Sequence, residues 1–482
     1  MTTHTVTRVI QLKRSSGAYR TGSVQFFPWT LDSSKEVFDG KWHLSTSWRS
    51  MIDQYSQSFV AGYNAQLYIL CTDKKLEEIV SLDVSLPDPP NDPDDPTIAA
   101  WALCSEPSPE PLIILADHRC IFVYSVRKRA VVGYVRGHGG RITSISVHPT
   151  RPNIFASTSA DFTVRIYNLD LKQEENLRTP KWPPLGIPVH GSAALGIDGV
   201  DAVGRGYGRC IQLLVGGRAG GHNWEVGTSA FHPRLPLLAT GGVDRYVKIW
   251  RIHLGSTNVV REDKPLFSSA ITTSRVLSIA WLAEDVLMTH TATTFTPRKA
   301  ESDDDEPGMP EPEIEPATLD VFQWLGCERY FPDGDPEPDS LLRGGASDYQ
   351  NSASYMKLSS LDLPLDRSLQ DREAITNLSQ TRVSASQKGH CLVMNAQSRI
   401  RARGSTSLNF VSLDISQMEP LCRPMTPTAL DVDVALKRLR LEPGPNDPRP
   451  DHQNPLFMSC SQTPSHIIAI DSVGKVWILR SM

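Results

Sequence analysis

The stretch GHGGRITSISVHPTRPNIFASTSADFTVRIYNLD, residues 137–170, is repeated in pattern by GHNWEVGTSAFHPRLPLLATGGVDRYVKIWRIH, residues 221–253. Both copies open with Gly-His and carry a His-Pro pair ten residues after that histidine. Each then places a hydroxyl residue four positions before an aspartate and an aromatic residue six positions after it. The repeated set is His138, Ser157, Asp161 and Tyr167 in the first copy, and His222, Thr240, Asp244 and Trp250 in the second.

A third, weaker copy of the ending lies near the end of the chain. There, IIAIDSVGKVWIL at 467–479 again places an aspartate, Asp471, six residues before an aromatic, Trp477. The segments between these landmarks are short, β-branched or aromatic, and broken by turn residues, which is typical of strands. We expect the repeated residues to form a structural hydrogen-bond network that satisfies buried polar groups and fixes strand register.

Repeats of this kind predict a propeller. Units of about 40–45 residues with Gly-His and Trp-Asp signatures are typical of WD40 blades, each a four-stranded sheet. The Trp-Asp pair is degenerate here, as Tyr167-Asn168 and Trp250-Arg251. Candidate third strands are LYIL (67–70), CIFVYSV (120–126), TVRIYNL (163–169), YVKIWRI (246–252), LDVFQWL (319–325), LNFVSLDI (408–415) and KVWIL (475–479). The sequence therefore predicts an all-β, seven-bladed WD40 β-propeller.

Composition sets the domain organisation. The stretch ESDDDEPGMPEPEIEP at 301–316 interrupts the hairpin between the second and third strands of the fifth blade, and it cannot pack into a core. We predict that residues 1–40 add an outer strand to the closing blade and that residues 41–482 form the propeller. The expected insertions are disordered acidic, proline-rich or serine-rich loops at 84–96, 300–317, 326–388 and 417–455.

Overall composition excludes several classes of protein. The net charge is -5, which argues against a basic nucleic-acid clamp or membrane-surface protein. No apolar stretch is long enough for a membrane span, and no leader-like segment opens the chain. The eight cysteines include no Cys-x-x-Cys pair, so we expect free thiols in a reducing compartment, the cytosol or the nucleus.

Catalytic and cofactor motifs are missing from the sequence. It contains no Gly-x-Ser-x-Gly elbow, zinc-protease motif or phosphate-binding loop. The His138, Ser157 and Asp161 set has hydrolase residue types, but a catalytic triad occurs once and this set recurs at fixed offsets. The glycine clusters at 204–208 and 216–221 lack the full dinucleotide pattern. We therefore predict no enzymatic activity, no metal and no cofactor.

Two charged regions have alternative interpretations. The acidic run at 301–306 is either a solvated loop or a dock for basic histone tails. The basic clusters at 399–403 and 437–440 are either surface charge, a nucleic-acid contact or a nuclear import signal. In a net-negative chain, the surface interpretation is favoured, and no direct sequence-specific nucleic-acid binding is expected.

Several segments together resemble the EED / extra-sex-combs family, the WD40 subunit of Polycomb repressive complex 2. The two repeats resemble consecutive blades of that family, and the resemblance is specific at 111–170 and 220–254. VLSIAWLAEDVLMTH (276–290), PLIILADHRCIFVYSV (111–126) and IIAIDSVGKVWIL agree with further blades. The resemblance covers most of 40–482 and is weak at 326–390.

The resemblance implies a nuclear scaffold for a histone H3 lysine 27 methyltransferase that acts in transcriptional repression. Its implied partners are a SET-domain methyltransferase subunit, which places a helix on one face of the ring, and other Polycomb subunits. The histone H3 tail is a further candidate partner on the opposite face.

Animal members of the family hold trimethyl-lysine in an aromatic cage, which needs converging ring faces. The cage positions align here with Leu44, Thr97 and the pair His390-Cys391, so most of the aromatics are absent. The sequence therefore argues against methyl-lysine reading. Trp42, Trp48 and Tyr63 lie near enough in sequence to be substitutes, and Trp101 matches a core tryptophan of the family.

Two other functional classes stay open. Degenerate WD40 repeats also occur in adaptors or substrate receptors of other complexes, such as ubiquitin ligases. A propeller-fold hydrolase rests on fold analogy alone. Co-purifying proteins separate the first alternative from the Polycomb hypothesis, and a deep pocket of converging carboxylates would support the second.

Overall fold

Most of the regular structure in the described part of the chain is β-strand, as the period-two segments predict. The computed structural model describes residues 3–12, 22–64, 66–72, 78–81, 97–172, 204–216, 220–255, 259–297, 312–332, 346–362, 383–385, 390–394, 401–402, 405–406, 410–414, 436–442, 457–463, 465–471 and 474–481. Within these ranges, no helix is long and apolar enough to cross a membrane.

The described strands form seven four-stranded antiparallel blades, and the strands of each blade are given in spatial order. Blades two and three join into one sheet, as do blades six and seven, and the other three blades are separate sheets. Blade one contains β2 (Ser23–Phe26), β3 (Ser58–Tyr63), β4 (Gln66–Cys71) and β5 (Glu78–Ser81). Blade two contains β6 (Ile98–Cys104), β7 (Glu110–Asp117), β8 (Cys120–Ser125) and β9 (Ala130–Val135). Blade three contains β10 (Ile142–Val147), β11 (Ile154–Ser159), β12 (Val164–Lys172) and β13 (Gly204–Leu214).

The remaining blades follow the same order. Blade four contains β14 (Val226–Phe231), β15 (Leu237–Gly242), β16 (Val247–Arg251) and β18 (Phe267–Ser269). Blade five contains β19 (Val276–Trp281), β20 (Val286–Thr291), β23 (Thr318–Trp324) and β24 (Tyr355–Asp362). Blade six contains β25 (Val383–Ala385), β26 (His390–Met394), β29 (Phe410–Asp414) and β30 (Leu436–Glu442). Blade seven contains β31 (Phe457–Gln462), β32 (His466–Asp471), β33 (Lys475–Ser481) and β1 (Thr3–Gln11).

Additional strands lie outside this plan. They are β17 (Val260–Glu262), the hairpin of β21 (Thr294–Pro297) and β22 (Pro312–Glu315), and the hairpin of β27 (Arg401–Ala402) and β28 (Ser405–Thr406). All seven segments predicted as third strands occupy the third position of a blade, which confirms the seven-bladed propeller.

The ring closes between the two ends of the chain. β1 pairs antiparallel with β33, so that Val9 lies opposite Trp477, and it also pairs parallel with β30 of blade six. β2 of blade one contacts β31 of blade seven. Because one sheet contains strands from both ends of the sequence, closure depends on contacts of very high sequence separation.

Apolar clusters fill the spaces between neighbouring blades. Trp101 is fully buried in the cluster between blades one and two, as the resemblance implies. Phe155 and Tyr167 pack between blades two and three, and Trp250 packs between blades three and four. Burial of such aromatic side chains supplies most of the drive to assemble the ring.

Side-chain oxygens connect the first strands of neighbouring blades around the central axis. The backbone N–H of Val24 donates to the Ser459 hydroxyl oxygen at 3.3 Å, and the N–H of Ala99 donates to the Ser23 hydroxyl oxygen at 2.7 Å. First strands of different blades form no ladder with one another, so their inward N–H groups need such acceptors.

The ring has two faces, which strand direction defines. We call the face where the first strands begin the top face, and the opposite one the bottom face. Gly22 and Thr97, just before the first strands of blades one and two, form a bridge at the top. Hairpins between second and third strands also lie at the top because the second strand runs antiparallel to the first.

The connection from β2 to β3 covers part of the bottom face. It contains two short 3₁₀ turns, Asp32–Lys35 and Val37–Gly40, and the helix α1, Thr46–Tyr55. Ser45 caps α1 by accepting a hydrogen bond from the N–H of Trp48 at 3.2 Å. Trp48, Met51 and Ile52 are buried at helical spacing, which fixes α1 against blades one and two.

Several expected boundaries differ from the structure. Ser23–Phe26 is the first strand of blade one, so the propeller begins before residue 41. The expected loop 326–388 contains β24, β25 and two short helices, Cys327–Tyr330 and Ala346–Gln350. The expected loop 417–455 contains β30. β24 shows why these strands were missed: it is an outer strand with much exposed side-chain surface, so its sequence lacks buried alternation.

The other two insertions lie wholly or partly outside the described residues. The loop predicted at 84–96 lies outside them. Within 300–317, only 312–317 is described, and Pro312–Glu315 pairs with Thr294–Pro297 as a hairpin projecting from blade five. The acidic run at 301–306 therefore stays an expectation from sequence.

Candidate interaction faces

In blade three, the structure brings together the residues of the first repeat. His138 Nδ1 lies 2.9 Å from Asp161 Oδ2, and His138 Nε2 lies 2.7 Å from the Ser157 hydroxyl. The N–H of Gly139 also donates to Asp161 at 2.8 Å. Tyr167 is buried and stacks on Phe155, with ring centroids 4.8 Å apart. Burial raises the pKa of its hydroxyl, so the phenol stays neutral.

Blade four repeats this arrangement with a tryptophan in place of the tyrosine. His222 Nδ1 lies 2.9 Å from Asp244 Oδ2, and His222 Nε2 lies 2.8 Å from Thr240 Oγ1. The indole N–H of Trp250 donates to Thr240 Oγ1 at 2.9 Å. The N–H groups of Asn223 and Tyr246 donate to the same aspartate. One connected chain of hydrogen bonds therefore links the first turn, the second strand, the hairpin and the third strand.

Protonation in these networks follows from burial. Burial lowers the pKa of His138 and of His222, against the opposing attraction of the facing carboxylates, so both rings are neutral. A carboxylate only accepts, which places the ring proton on Nδ1, and Nε2 then accepts from the hydroxyl. Burial opposes ionisation of Asp244, but its histidine partner and backbone N–H donors lower its pKa below the ordinary value.

The closing blade uses a different arrangement at the same place. Trp477 Nε1–H donates directly to Asp471 Oδ2 at 3.0 Å, within a buried pair. Trp477 lies opposite Ala469, and Asp471 follows Ala469 by two residues. In blade four, Trp250 lies opposite Leu238, and Thr240 follows Leu238 by two residues. Asp471 thus occupies the hydroxyl position rather than the aspartate position that the six-residue spacing suggests. The reason is that the hairpin between the second and third strands is shorter in the closing blade. An aspartate six residues before the aromatic residue therefore lies on the second strand and not in the hairpin.

Access decides whether the serine, histidine and aspartate of blade three could react. Their geometry is that of a hydrolase triad, but Ser157 is 0% exposed and Thr240 is 0% exposed. A nucleophile needs room for substrate beside its oxygen. Both hydroxyls instead lie within the sheets. In the part of the chain that the structure describes, no group of three or more His, Cys, Asp or Glu side chains could hold a metal.

Two of the positions aligned with an aromatic cage, Leu44 and Thr97, lie on opposite faces of the ring. Thr97 is buried at the top, where its hydroxyl lies 3.4 Å from Asp117 Oδ1. Leu44 lies in the β2–β3 connection on the bottom face and is 67% exposed. His390 and Cys391 lie in the second strand of blade six, and their side chains fall outside what is described. Leu44 and Thr97 cannot line one cage because they lie on opposite faces.

The other aromatic candidates near these positions are core residues. Trp48 is buried on α1, and Tyr63 is buried on β3. Trp42 is partly buried and packs against the cluster between blades one and two. These three residues contribute to packing and offer no converging exposed rings.

The glycine cluster at 204–208 joins two blades. Gly204 and Gly206 of β13 have φ of +128° and +79° and pair with β9 of blade two. A Cβ on Gly206 would lie 2.2 Å from the carbonyl oxygen of Val132, which only glycine avoids. The cluster therefore allows close backbone contact between blades two and three, which explains its composition without a phosphate.

The bottom face carries the chain's own cover and exposed apolar side chains. The N–H of Phe38 donates to the carbonyl of Thr150 at 2.7 Å, and Lys41 forms an ion pair with Glu106. These contacts hold the connection 27–57 across the bottom of blades one to three. Leu31 and Leu44 project from it, 54% and 67% exposed.

The comparison with a family model agrees with the repeats. The model "WD domain, G-beta repeat" matches residues 129–168 and 209–251, which contain most of blades three and four. The chain also superposes on a chain of the Chaetomium thermophilum Polycomb Repressive Complex 2 with a TM-score of 0.57, covering 99% of this chain and 98% of that chain at 14% identity. The chain has a seven-bladed β-propeller fold with two matched WD40 repeats, and it resembles the Polycomb EED family. At this identity, the superposition itself establishes the fold alone.

Sequence relatives include two proteins that carry Polycomb names and one that carries a different name. The Polycomb group protein FIE1 of Zea mays is 26% identical over 152 residues, 31% of this chain and 25% of the relative. The Polycomb protein EED of Chaetomium thermophilum is 26% identical over 163 residues, 33% of this chain and 23% of the relative. A probable cytosolic Fe-S cluster assembly factor of Schizosaccharomyces pombe is 31% identical over 140 residues, 27% of this chain and 22% of the relative. The chain thus spans about a quarter of the length of the curated relatives it matches.

Two exposed residues of the top face were missed by sequence reasoning. Phe162 is 43% exposed and Trp224 is 60% exposed. The repeat alignment holds a signal for them, since Phe162 corresponds to Arg245 and Trp224 to Gly140. Because these positions differ between the aligned repeats, they are not part of the shared hydrogen-bond network. Their side chains can therefore contact a partner.

Proposed function

We propose that this chain is a non-catalytic WD40 scaffold subunit of a Polycomb repressive complex 2-like methyltransferase that acts on histone H3 lysine 27 in the nucleus. The observation that carries the proposal is the joint likeness of its blades to Polycomb EED and FIE1 and of its whole fold to a chain of Polycomb Repressive Complex 2. The complete burial of both network hydroxyls supports a role without chemistry.

The partner we propose for the bottom face is an amphipathic helix of the SET-domain subunit. Leu31 and Leu44 are large apolar side chains that lie exposed on one ordered segment. An amphipathic helix binds by laying its apolar stripe on such residues. The ion pair of Lys41 with Glu106 and the contact of Arg151 with Asp39 hold that segment in place.

The first test is purification of the tagged full chain from its native cells, followed by identification of bound proteins. We expect a SET-domain methyltransferase and further Polycomb subunits. Recovery of ubiquitin-ligase or other complexes, with no SET-domain protein, would overturn the proposal in favour of the adaptor alternative.

The second test locates the interface. Leu31→Glu combined with Leu44→Asn should reduce recovery of the SET-domain subunit, and asparagine suits the left-handed φ of +60° at residue 44. Trp224→Ala on the top face is the matched control and should leave recovery unchanged. Equal recovery with the double variant would place the partner elsewhere on the ring.

Methyl-lysine reading is not part of the proposed function. Two of the aligned cage positions, Leu44 and Thr97, lie on opposite faces, and Thr97 is buried. The isolated chain should bind a trimethylated H3 peptide weakly or not at all. Micromolar, methylation-dependent binding in calorimetry would show that a cage exists after all.

A further inference from the structure

Two aromatic rings lie exposed on the top face between blades three and four. Phe162 occupies the hairpin of blade three, and Trp224 occupies the turn that leads into blade four. Their centroids are 6.3 Å apart with an interplanar angle of 26°. The two rings stack on each other, so they offer one apolar platform rather than a cage. Phe162 holds a φ of +70°, which is unusual for a bulky residue.

A bonded turn holds this platform in place. The N–H of Asn223, next to Trp224, donates to Asp244 at 3.1 Å, and the N–H of Val243 donates to the carbonyl of Glu225 at 2.8 Å. The backbone on either side of Trp224 is thus fixed by the blade-four network. A pre-organised exposed aromatic residue has the properties of a binding anchor, because little side-chain entropy is lost on association.

Arginines flank the platform in the chain, and one of them pairs with a glutamate next to Trp224. Arg141 Nη2 lies 3.3 Å from both carboxylate oxygens of Glu225, and Arg275 lies close enough to feel both charges. Arg245 is exposed on the hairpin beside the turn. The nearby Asp161 and Asp244 are almost entirely buried and accept from their histidines. The exposed charge beside the platform is therefore positive, although the chain as a whole is negative.

We propose that this surface, defined by Phe162, Trp224, Arg141 and Arg245, binds an acidic peptide segment that carries one apolar or aromatic anchor. The anchor packs on the free face of Trp224, and the flanking carboxylates approach the guanidinium groups. A nucleic acid suits the surface less well, because a continuous phosphate backbone is bound by a run of several cations, whereas this surface offers Arg141 and Arg245 beside one carboxylate, Glu225. This partner goes beyond the proposed function and needs no methyltransferase subunit.

The experiment uses the full chain and a fluorescein-labelled synthetic peptide of alternating aspartate and glutamate around one phenylalanine. The same peptide with lysines in place of the acids, and a single-stranded RNA of matched length, are the competitors. We expect saturable binding of the acidic peptide in fluorescence anisotropy, weakened by added salt. Preference for the lysine peptide or for the RNA would overturn the proposal.

Variants assign the binding to the platform. Trp224→Ala should weaken the acidic peptide roughly tenfold or more, as for a central anchor. Phe162→Asn relieves the positive φ and removes the ring, and Arg245→Glu reverses one charge. Both should weaken binding without lowering the melting temperature. Arg127→Glu, an equal charge change on an exposed bottom turn, is the control. Equal affinities for R127E and R245E, or no effect of W224A, would also overturn the proposal.

Discussion

Blades four and five are neighbours with the same strand register and different polar interiors. In blade four, Thr240 accepts from the indole of Trp250 and donates to His222. In blade five, the matching residues are Thr289 and Phe322, and the Thr289 hydroxyl has no hydrogen-bond partner among the described residues. Both sheets nevertheless form. A blade therefore forms without the histidine, hydroxyl and indole chain of blade four. Blade five instead buries Asp320, which accepts from Thr318 and Ser360 and pairs with Lys357.

Acidification should produce the largest difference in stability between blades four and five. His148 and His232 follow the first strands of blades three and four, whereas Leu282 holds that position in blade five. Burial lowers the pKa of both histidines to about 3 from an ordinary 6.5. The unfolded chain therefore binds their protons first as pH falls. The free energy of unfolding keeps the full contribution of the neutral histidines above pH 6.5. Between pH 6.5 and pH 3 it falls by at most about 1.4 kcal/mol per pH unit for each histidine.

Hydrogen exchange at neutral pH and near pH 4.5 checks this difference. Protection in β10 and β14 should fall more steeply on acidification than protection in β19. His232→Gln should be less stable at neutral pH and less sensitive to acid. Equal acid sensitivity of all three strands would contradict the assignment of the effect to these histidines.

Substitution of the buried blade-four carboxylate, Asp244, should cause the next largest loss of stability. Asp244→Ala leaves the His222 ring N–H and the N–H groups of Asn223 and Tyr246 without their acceptor. We expect a loss of about 1–3 kcal/mol in the free energy of unfolding, measured by denaturant titration. Asp53→Ala, at an exposed carboxylate on α1, is the control and should have little effect. An unchanged midpoint for D244A would argue against the network.

Converting blade four to the blade-five pattern should cost less. Trp250→Phe removes the indole donor to Thr240 and leaves a smaller ring in a buried site. We expect destabilisation of about 1–2 kcal/mol, and the loss in the double variant with Thr240→Val should be smaller than the sum of the two single losses. Thermal unfolding of the two single variants and the double variant measures the coupling. Strict additivity would show that the hydrogen bond contributes nothing.

The smallest effect should come from blade five itself. Thr289→Val replaces a buried hydroxyl that has no described partner with a methyl group of similar shape. The melting temperature should stay the same or rise slightly, while Thr240→Val lowers it. If T289V were as damaging as T240V, the two blades would have to share an unrecognised polar contact.

The repeat spacing predicts the network of blades three and four because its members lie within about 30 residues and follow strand alternation. The same spacing misassigns Asp471, since a shorter hairpin preserves the six-residue interval while moving the aspartate to the hydroxyl position. The faces on which the aligned cage positions lie could not be predicted from sequence either. Sequence order places Leu44 and Thr97 in neighbouring blades, but only strand direction reveals that one lies at the bottom and the other at the top.

Local pattern alone determined seven third strands, the buried histidines and the absence of helical periodicity from most of the chain, because side-chain alternation and turn residues act over a few positions. Tertiary structure decided which strands close the ring, how Gly204 and Gly206 join two blades, and where exposed Trp224 meets Phe162. Those outcomes depend on residues far apart in sequence, whose proximity is set by the packing of whole sheets.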